Sequence, residues 1–371
     1  MSLRVLVVDD TVLYRKIVSD VISELPDIEV IGTASNGKIA MERIISMRPD
    51  LVTLDMEMPE MGGLDVLRAM KERSLETGAI VLSALTRKGG DLTLRALELG
   101  AFDFITKPSA DSMDENKAAI KDALAPLLKA YANRMEIRSI LRSALKTAEP
   151  AVKQIEQITC SSTAQSSLGE TNKTVSCSRA DMVVIGISTG GPNALATVLP
   201  KLPADLGVPV LIVQHMPPLF TQSLAESLDA KCAIRVKEAE NDEVIKKNIA
   251  YIAPGGKQMK LIPKPDGTRI IRITDDPPEN NCKPSVDYLF RSVAHGFPGC
   301  ATAVIMTGMG SDGTLGLRLM KRNKCFVIAQ DEASCVVFGM PKEAINAGVV
   351  DIVVPLDRIA DSIYKTINRY N

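Results

Sequence analysis

An apolar run, Met182-Val-Val-Ile-Gly-Ile187, breaks into Ser188-Thr-Gly-Gly191, and Pro192 then opens a helical stretch. A buried strand turning sharply into a helix commits this region to an α/β design with a parallel sheet. The turn fits G-x-S-x-G over Gly186–Gly190, a geometry that lifts a serine hydroxyl clear of a sheet. Backbone N–H groups at the new helix start supply the positive potential that an oxyanion needs.

At 371 residues the chain is long enough for two domains, each with its own core. A hydrophobic content of 46% and a net charge of −1 indicate a soluble globular protein with no nucleic-acid surface or anionic-membrane binder. Acidic residues arrive at Asp9-Asp10, too early for a signal peptide, and no segment approaches the ~20 apolar residues of a membrane span. The seven cysteines (Cys160, Cys177, Cys232, Cys282, Cys300, Cys325 and Cys335) form no C-x-x-C pair and read as thiols in a reducing compartment. A cytoplasmic location with no membrane insertion is expected.

From residue 1 to about 128, five strand candidates (Arg4–Asp9, Ile28–Ser35, Leu51–Asp55, Ala79–Ser83, Phe102–Thr106) alternate with helical stretches such as Ile39–Met47 and Leu64–Arg73. This predicts an open, doubly wound parallel sheet over 1–128. Residues 112–147 read as helix, and 150–181 lose their large apolar residues and become Ser/Thr/Gln-rich, so 129–181 is expected to be a helix and polar linker. A second α/β domain, 182–371, starts with strands at Met182–Gly186, Pro209–Gln214, Ala301–Ile305 and Phe326–Ala329. Its sheet is expected to be mainly parallel, with a β-hairpin region within Ile249–Thr274.

In the first domain polar residues collect at strand ends: Asp9 and Asp10, Asp55, Ser83, and Lys107-Pro108. Ligands of such sheets bind at the carboxyl ends of the strands, so these residues converge. Three carboxylates and a carbonyl make a hard-oxygen site suited to Mg²⁺. Lys107 can pair with a charge added to Asp55, and Ser83 can hydrogen-bond a phosphoryl oxygen. Val-Asp9-Asp10, Leu54-Asp55-Met-Glu-Met-Pro59, Ser83 and Thr106-Lys107-Pro108 resemble a two-component receiver domain. The resemblance implies Asp55 as phospho-acceptor, Asp9, Asp10, Asp55 and the Glu57 carbonyl as Mg²⁺ ligands, and Phe104 as an aromatic switch residue. It also implies a cis Lys107–Pro108 bond.

The chain has only two histidines. His215 follows an apolar strand in Leu211-Ile-Val-Gln-His-Met-Pro217, which would bring its ring near Ser188, and imidazole is suited to take a hydroxyl proton at neutral pH. His295 lies near a helix end, where capping or exposure is its expected role. Asp312, in Ile305-Met-Thr-Gly-Met-Gly-Ser-Asp-Gly313, is the best carboxylate to orient the imidazole, with an N-cap of the next helix as the competing role. The order Ser188, His215, Asp312 differs from the Ser…Asp…His order of α/β-hydrolases. The Thr189 N–H is one oxyanion donor candidate.

Ile187-Ser-Thr-Gly-Gly-Pro192, Gln214-His-Met-Pro217 and Met306-Thr-Gly-Met-Gly-Ser-Asp-Gly313 resemble the CheB-type chemotaxis protein-glutamate methylesterase family, as do Lys283-Pro-Ser-Val-Asp287 and Ala329–Pro341. Relatives often carry histidine beside Lys283 where this chain has Asn281-Cys282. The resemblance implies Ser188 as nucleophile, His215 as base, Asp312 as orienter and the Met309 N–H as a further oxyanion donor, with no cofactor at the hydrolase site. It also implies a chemotaxis histidine kinase as phosphodonor, methyl-accepting chemoreceptors as substrate, methanol as product, and a deamidation of glutamines at the same site. Competing readings are a catalytically idle receptor-array adaptor and other response-regulator output proteins. A DNA-binding regulator lacks its basic recognition helix, and a nucleotide-binding domain lacks the Walker lysine.

Overall fold

The structure is a computed structural model that describes residues 2–110, 112–148, 179–299 and 301–368. The first unit runs β1 (Leu3–Val8), α1 (Val12–Ser23), β2 (Ile28–Ala34), α2 (Gly37–Met47), β3 (Leu51–Asp55), α3 (Gly63–Glu72), β4 (Gly78–Ser83), α4 (Arg87–Glu98), β5 (Asp103–Thr106) and α5 (Met113–Ala148). Its five strands are parallel in the order β2-β1-β3-β4-β5, as expected from the sequence. Polar caps set the helix starts: the Asn36 side chain accepts from Ile39 N–H, and the Thr86 hydroxyl accepts from Gly89 N–H. The strand order reverses between β1 and β3, so their carboxyl ends flank the crevice where such sheets bind ligands.

The second unit comprises β6 (Met182–Ile187), α6 (Gly191–Val198), β7 (Val210–Gln214), α7 (Phe220–Asp229), β8 (Arg235–Glu238), β9 (Ile249–Ile252), β10 (Gln258–Pro263), β11 (Arg269–Thr274), α8 (Val286–Gly296), β12 (Ala301–Ile305), α9 (Thr314–Arg322), β13 (Phe326–Gln330), α10 (Met340–Asn346), β14 (Ile352–Val354) and α11 (Ile359–Ile367). Seven strands form a parallel sheet in the order β14-β13-β12-β6-β7-β9-β8. The hairpin is narrower than the region expected for it: β10 and β11 pair antiparallel, whereas β9 joins the main sheet. Edge strands β8 and β14 escape the apolar-run criterion because they are short and only partly buried. Central strand β6 is buried along its whole length, and order reverses between it and β12. The second crevice therefore opens beside Ser188.

The stretch expected to be the linker lies outside the described residues except for 179–181, while the helix expected over 112–147 is α5. The Lys107–Pro108 bond is trans, contrary to expectation; the cis bond among the described residues is Lys283–Pro284. A trans peptide still delivers Lys107 Nζ to both Asp9 and Asp55.

The two units meet along α4 and α7. Phe104 stacks on Phe220 with centroids 5.1 Å apart and planes 2° from parallel. Arg87 pairs with Glu226 at 3.0 Å, Lys231 pairs with Glu98, and Asn193 donates to the Leu97 carbonyl at 3.0 Å. These ion pairs are exposed and contribute little individually, so the buried Phe220 face dominates the contact. Packing inside the second unit is equally tight where α8 meets α9. A Cβ at Gly316 would lie 2.5 Å from Phe290 Cβ. Gly316→Ala gains about 1 kcal/mol in helix propensity but forces two helices apart, an overpacking cost of about 1–3 kcal/mol. The expected outcome is a lower urea midpoint for the second unit, read by circular dichroism.

Candidate active site

Asp55 and Asp9 are buried, and carboxylate atoms of Asp9, Asp10 and Asp55 all lie within 4.8 Å of one another. Lys107 Nζ sits 2.7 Å from Asp9 Oδ2 and 2.8 Å from Asp55 Oδ2. Burial pushes the Asp55 carboxyl up to about 6 against the opposing pull of Lys107, and the Asp9 charge adds to the rise. A hard-oxygen donor set of this kind fits a divalent cation, which would relieve both the desolvation and the mutual repulsion. Ser83 Oγ donates to the Gly89 carbonyl at 3.1 Å, at the first turn of α4. Phe104 is engaged on Phe220. The Glu57 N–H contacts Asp55 Oδ1 at 3.4 Å.

At the second crevice, Ser188 and His215 follow the paired strand ends Ile187 and Gln214, and His215 N–H donates to the Ile187 carbonyl at 3.1 Å. Parallel register thus places the two residues side by side. Gln214 Nε2 donates to the Ser188 carbonyl at 3.0 Å and to the His215 carbonyl at 3.2 Å, bracing both turns. Gly190 takes φ = 73°, a left-handed conformation that favours glycine, and closes the turn. Gly308 must also be glycine: a Cβ there would meet Ser188 Cβ at 2.7 Å. That close approach brings the Gly308-Met309 loop against Ser188.

Asp312 Oδ2 lies 2.8 Å from His215 Nε2. Its role is not the competing one, since the N-cap of α9 is Gly313. Instead its carboxylate sits on the N-terminus of α8, where it accepts from Val286 N–H at 2.7 Å, Asp287 N–H at 3.0 Å and Ser285 Oγ at 2.9 Å. Asn280 Nδ2 and Gly313 N–H add further bonds at 3.1 and 3.0 Å. Free amides and the helix dipole favour the anion there. Burial opposes ionisation of Asp312, but His215 and these N–H groups outweigh it and hold the carboxyl below the usual range. Neighbouring Asp287 shows the opposite balance, with burial pushing it up to about 6.

Among the described residues no hydrogen bond joins Ser188 Oγ to the His215 ring. The nitrogen facing away from Asp312, Nδ1, lies 3.6 Å from Cys282 Sγ. Burial disfavours charge on His215, yet Asp312 and Cys282 overcome it and push the imidazole up to about 9. His295 lies in the last turn of α8, as expected.

Sequence reasoning missed the supports around this centre. Thr307 Oγ1 donates to the Thr189 carbonyl at 3.0 Å, and Gln330 Oε1 accepts from Thr307 N–H at 2.9 Å. Asp103, from the first unit, is buried with its carboxylate accepting from Phe104 N–H at 2.9 Å, and Thr189 and Gly190 of the second unit lie close enough to bear on its titration. Burial pushes its carboxyl up to about 7, against the opposing pull of the Phe104 N–H, Thr189 and Gly190. Met309 packs, with Val336 and Val337, on the apolar cluster of the first unit beneath α1 and α5. A lone buried acid at the start of β5 carried no motif that would have marked Asp103 in advance.

A receiver-like sheet with an acidic crevice, joined to an α/β unit that gathers serine, histidine and aspartate at its own crevice, defines a response regulator with a hydrolase-type output unit. Residues 5–120 match the response regulator receiver domain and residues 183–363 match the CheB methylesterase family. A protein from Desulfotalea psychrophila named protein-glutamate methylesterase/protein-glutamine glutaminase is 53% identical over 100% of both chains. A protein of the same name from Halalkalibacterium halodurans is 44% identical over 99% of both chains. The crystal structure of the Thermotoga maritima CheB methylesterase catalytic domain is 41% identical, with a TM-score of 0.49 over 51% of this chain and 99% of that one. The chain belongs to the CheB family of receiver-linked methylesterases.

The His215–Asp312 pairing has a testable sign. A raised imidazole value means that His215 stabilises the fold fully below about 6.5 and that this contribution is lost as pH rises through about 9. Imidazole NMR on a chain with two histidines should resolve one ring titrating near 9, and Asp312→Asn should bring that ring down.

Proposed function

We propose that the chain is a phosphorylation-controlled protein-glutamate methylesterase acting on methyl-esterified glutamates of chemoreceptor cytoplasmic segments, with glutamine deamidation at the same site. The working division is a receiver over 1–128, a helix and linker over 129–181, and a catalytic domain over 182–371. The observation that carries the reading is the 2.8 Å bond from Asp312 to His215 Nε2, which leaves Nδ1 as the nitrogen that can serve Ser188.

In the reaction Ser188 Oγ attacks the ester carbonyl while its proton passes to Nδ1 of the deprotonated form of His215, so turnover is expected to rise as pH approaches the imidazole value of about 9. Asp312 fixes the tautomer with Nε2–H bonded to it and stabilises the imidazolium. Thr189 and Met309 N–H groups stabilise the oxyanion, a contribution of about 3–4 kcal/mol per donor in comparable sites. Collapse expels methoxide, which takes the proton from His215 and leaves as methanol. Water, deprotonated by His215, then releases the acyl group as glutamate. With glutamine the same steps release ammonia.

Asp9, Asp10, Asp55 and the Glu57 carbonyl would hold Mg²⁺, which supplies charge neutralisation for phosphoryl transfer to Asp55. A histidine kinase is the expected phosphodonor and the cytoplasm the expected location. Among the described residues no helix is long and apolar enough to cross a membrane. Gating is supported by the receiver's packing beside the nucleophile turn: Asp103 is buried near Thr189 and Gly190, and Met309 is packed on the receiver. Phosphate on Asp55 would draw the Ser83 hydroxyl away from Gly89 and shift α4, which carries the contact with α7.

Incubation with methyl-labelled receptor should release methanol, and Ser188→Ala should abolish release; unchanged release from that variant would sink the assignment. Asp55→Asn should keep basal turnover and lose stimulation by a phosphodonor. Asp103→Ala should raise unphosphorylated turnover, because it removes a buried side chain from the contact between the receiver and the nucleophile turn. A basal rate equal to that of the unaltered chain would argue against this contact as a latch.

A further inference from the structure

Cys282 has no part in the reaction just derived, yet its Sγ lies 3.6 Å from His215 Nδ1. The contact is held by a preformed turn. Glu279 and Cys282 exchange backbone hydrogen bonds of 3.1 and 2.8 Å, and Gln258 Nε2 donates to the Cys282 carbonyl at 3.3 Å. Asn280 and Asn281 both take positive φ, 52° and 60°, a conformation that asparagine tolerates better than most residues. Lys283 is turned away, with its Nζ on the Asp275 carbonyl at 3.1 Å. The thiol is thus presented to the imidazole by a fixed backbone, and it is partly exposed to solvent.

A tetrahedral Zn²⁺ with ordinary Zn–N and Zn–S bonds separates its nitrogen and sulfur ligands by about 3.5 Å. The Cys282–His215 separation matches that edge. Asp312 on Nε2 supplies the carboxylate–histidine–metal arrangement that fixes a ligating imidazole. One donor atom each from His215, Cys282 and Asp312 falls within 4.8 Å of the others. We propose that His215 Nδ1 and Cys282 Sγ form an inhibitory site for a thiophilic divalent cation of the Zn²⁺ class, with Asp312 as the outer partner and water completing the shell. Binding forms metal–nitrogen and metal–sulfur bonds and releases to solvent the thiol proton and any proton on Nδ1. The lone pair that would accept the Ser188 proton is then occupied. Inhibition rests on the reading of His215 as base; binding does not.

The test uses the full chain, a non-thiol reductant and excess Mg²⁺ to occupy the receiver carboxylates. ZnCl₂ should inhibit ester hydrolysis and a chelator should restore it. CoCl₂ should produce a near-ultraviolet thiolate-to-cobalt charge-transfer band, which oxygen ligands of the receiver cannot give. Cys282→Ser and Cys282→Ala should each remove the band and weaken Zn²⁺ inhibition, relative to the variant's own activity, by at least about tenfold, the loss that even an outer-shell change produces. His215→Ala should remove the band as well. Ser188→Ala, inactive on the catalytic reading, should keep it, so failure of the metal site is distinguishable from failure of the hydrolase assignment. No band in the unaltered chain, or a band that survives loss of Cys282, would overturn the proposal. Equal Zn²⁺ inhibition with and without the thiol would do the same.

Discussion

The carboxylate of Asp312 on the first turn of α8 is the interaction on which the second unit's chemistry depends. A buried aspartate between a helix N-terminus and an imidazole is an anion held by geometry, with Val286 N–H, Asp287 N–H, Ser285 Oγ and Asn280 all aimed at it. Removing any one donor leaves the others, whereas removing the carboxylate strands several buried donors at once. The same anion fixes the orientation of His215, and parallel pairing of β6 with β7 fixes its place beside Ser188. Serine, histidine and aspartate come from three different strand ends, so the sheet's register and the α8 position jointly set the site.

Among the described residues no hydrogen bond or ion pair joins the receiver to His215 or Asp312. Besides the α4–α7 contact, the receiver packs beside the nucleophile turn at Asp103 and against Met309. Phe104 on Phe220 and the α4–α7 contact link those places back to Ser83 and Asp55. Elements packed this closely leave little room for gradual deformation.

Much of this was legible in the sequence, for identifiable reasons. Buried parallel strands such as Leu51–Asp55 and Ala301–Ile305 are unbroken apolar runs with polar residues at their ends, so both strands and crevice residues stood out. Strand β8, Arg235-Val-Lys-Glu238, is a charged edge and gave no such signal. Asp312 was recognisable as an orienter, but not its seat on α8, because the donors lie 25 or more residues away in the chain. Asp103 carried no signal, and Cys282 stood out only as a departure beside Lys283, because its nearness to His215 depends on a partner 67 residues away.

The central claim is that Ser188 is made nucleophilic by an imidazole that Asp312 holds. Covalent trapping with a serine-directed organophosphonate, followed by mass spectrometry of the digested chain, tests it most directly. The account predicts a single adduct on the peptide carrying Ser188, faster in phosphorylated protein and lost in His215→Gln. An adduct on another residue, or labelling of Ser188 that is indifferent to His215, would contradict it.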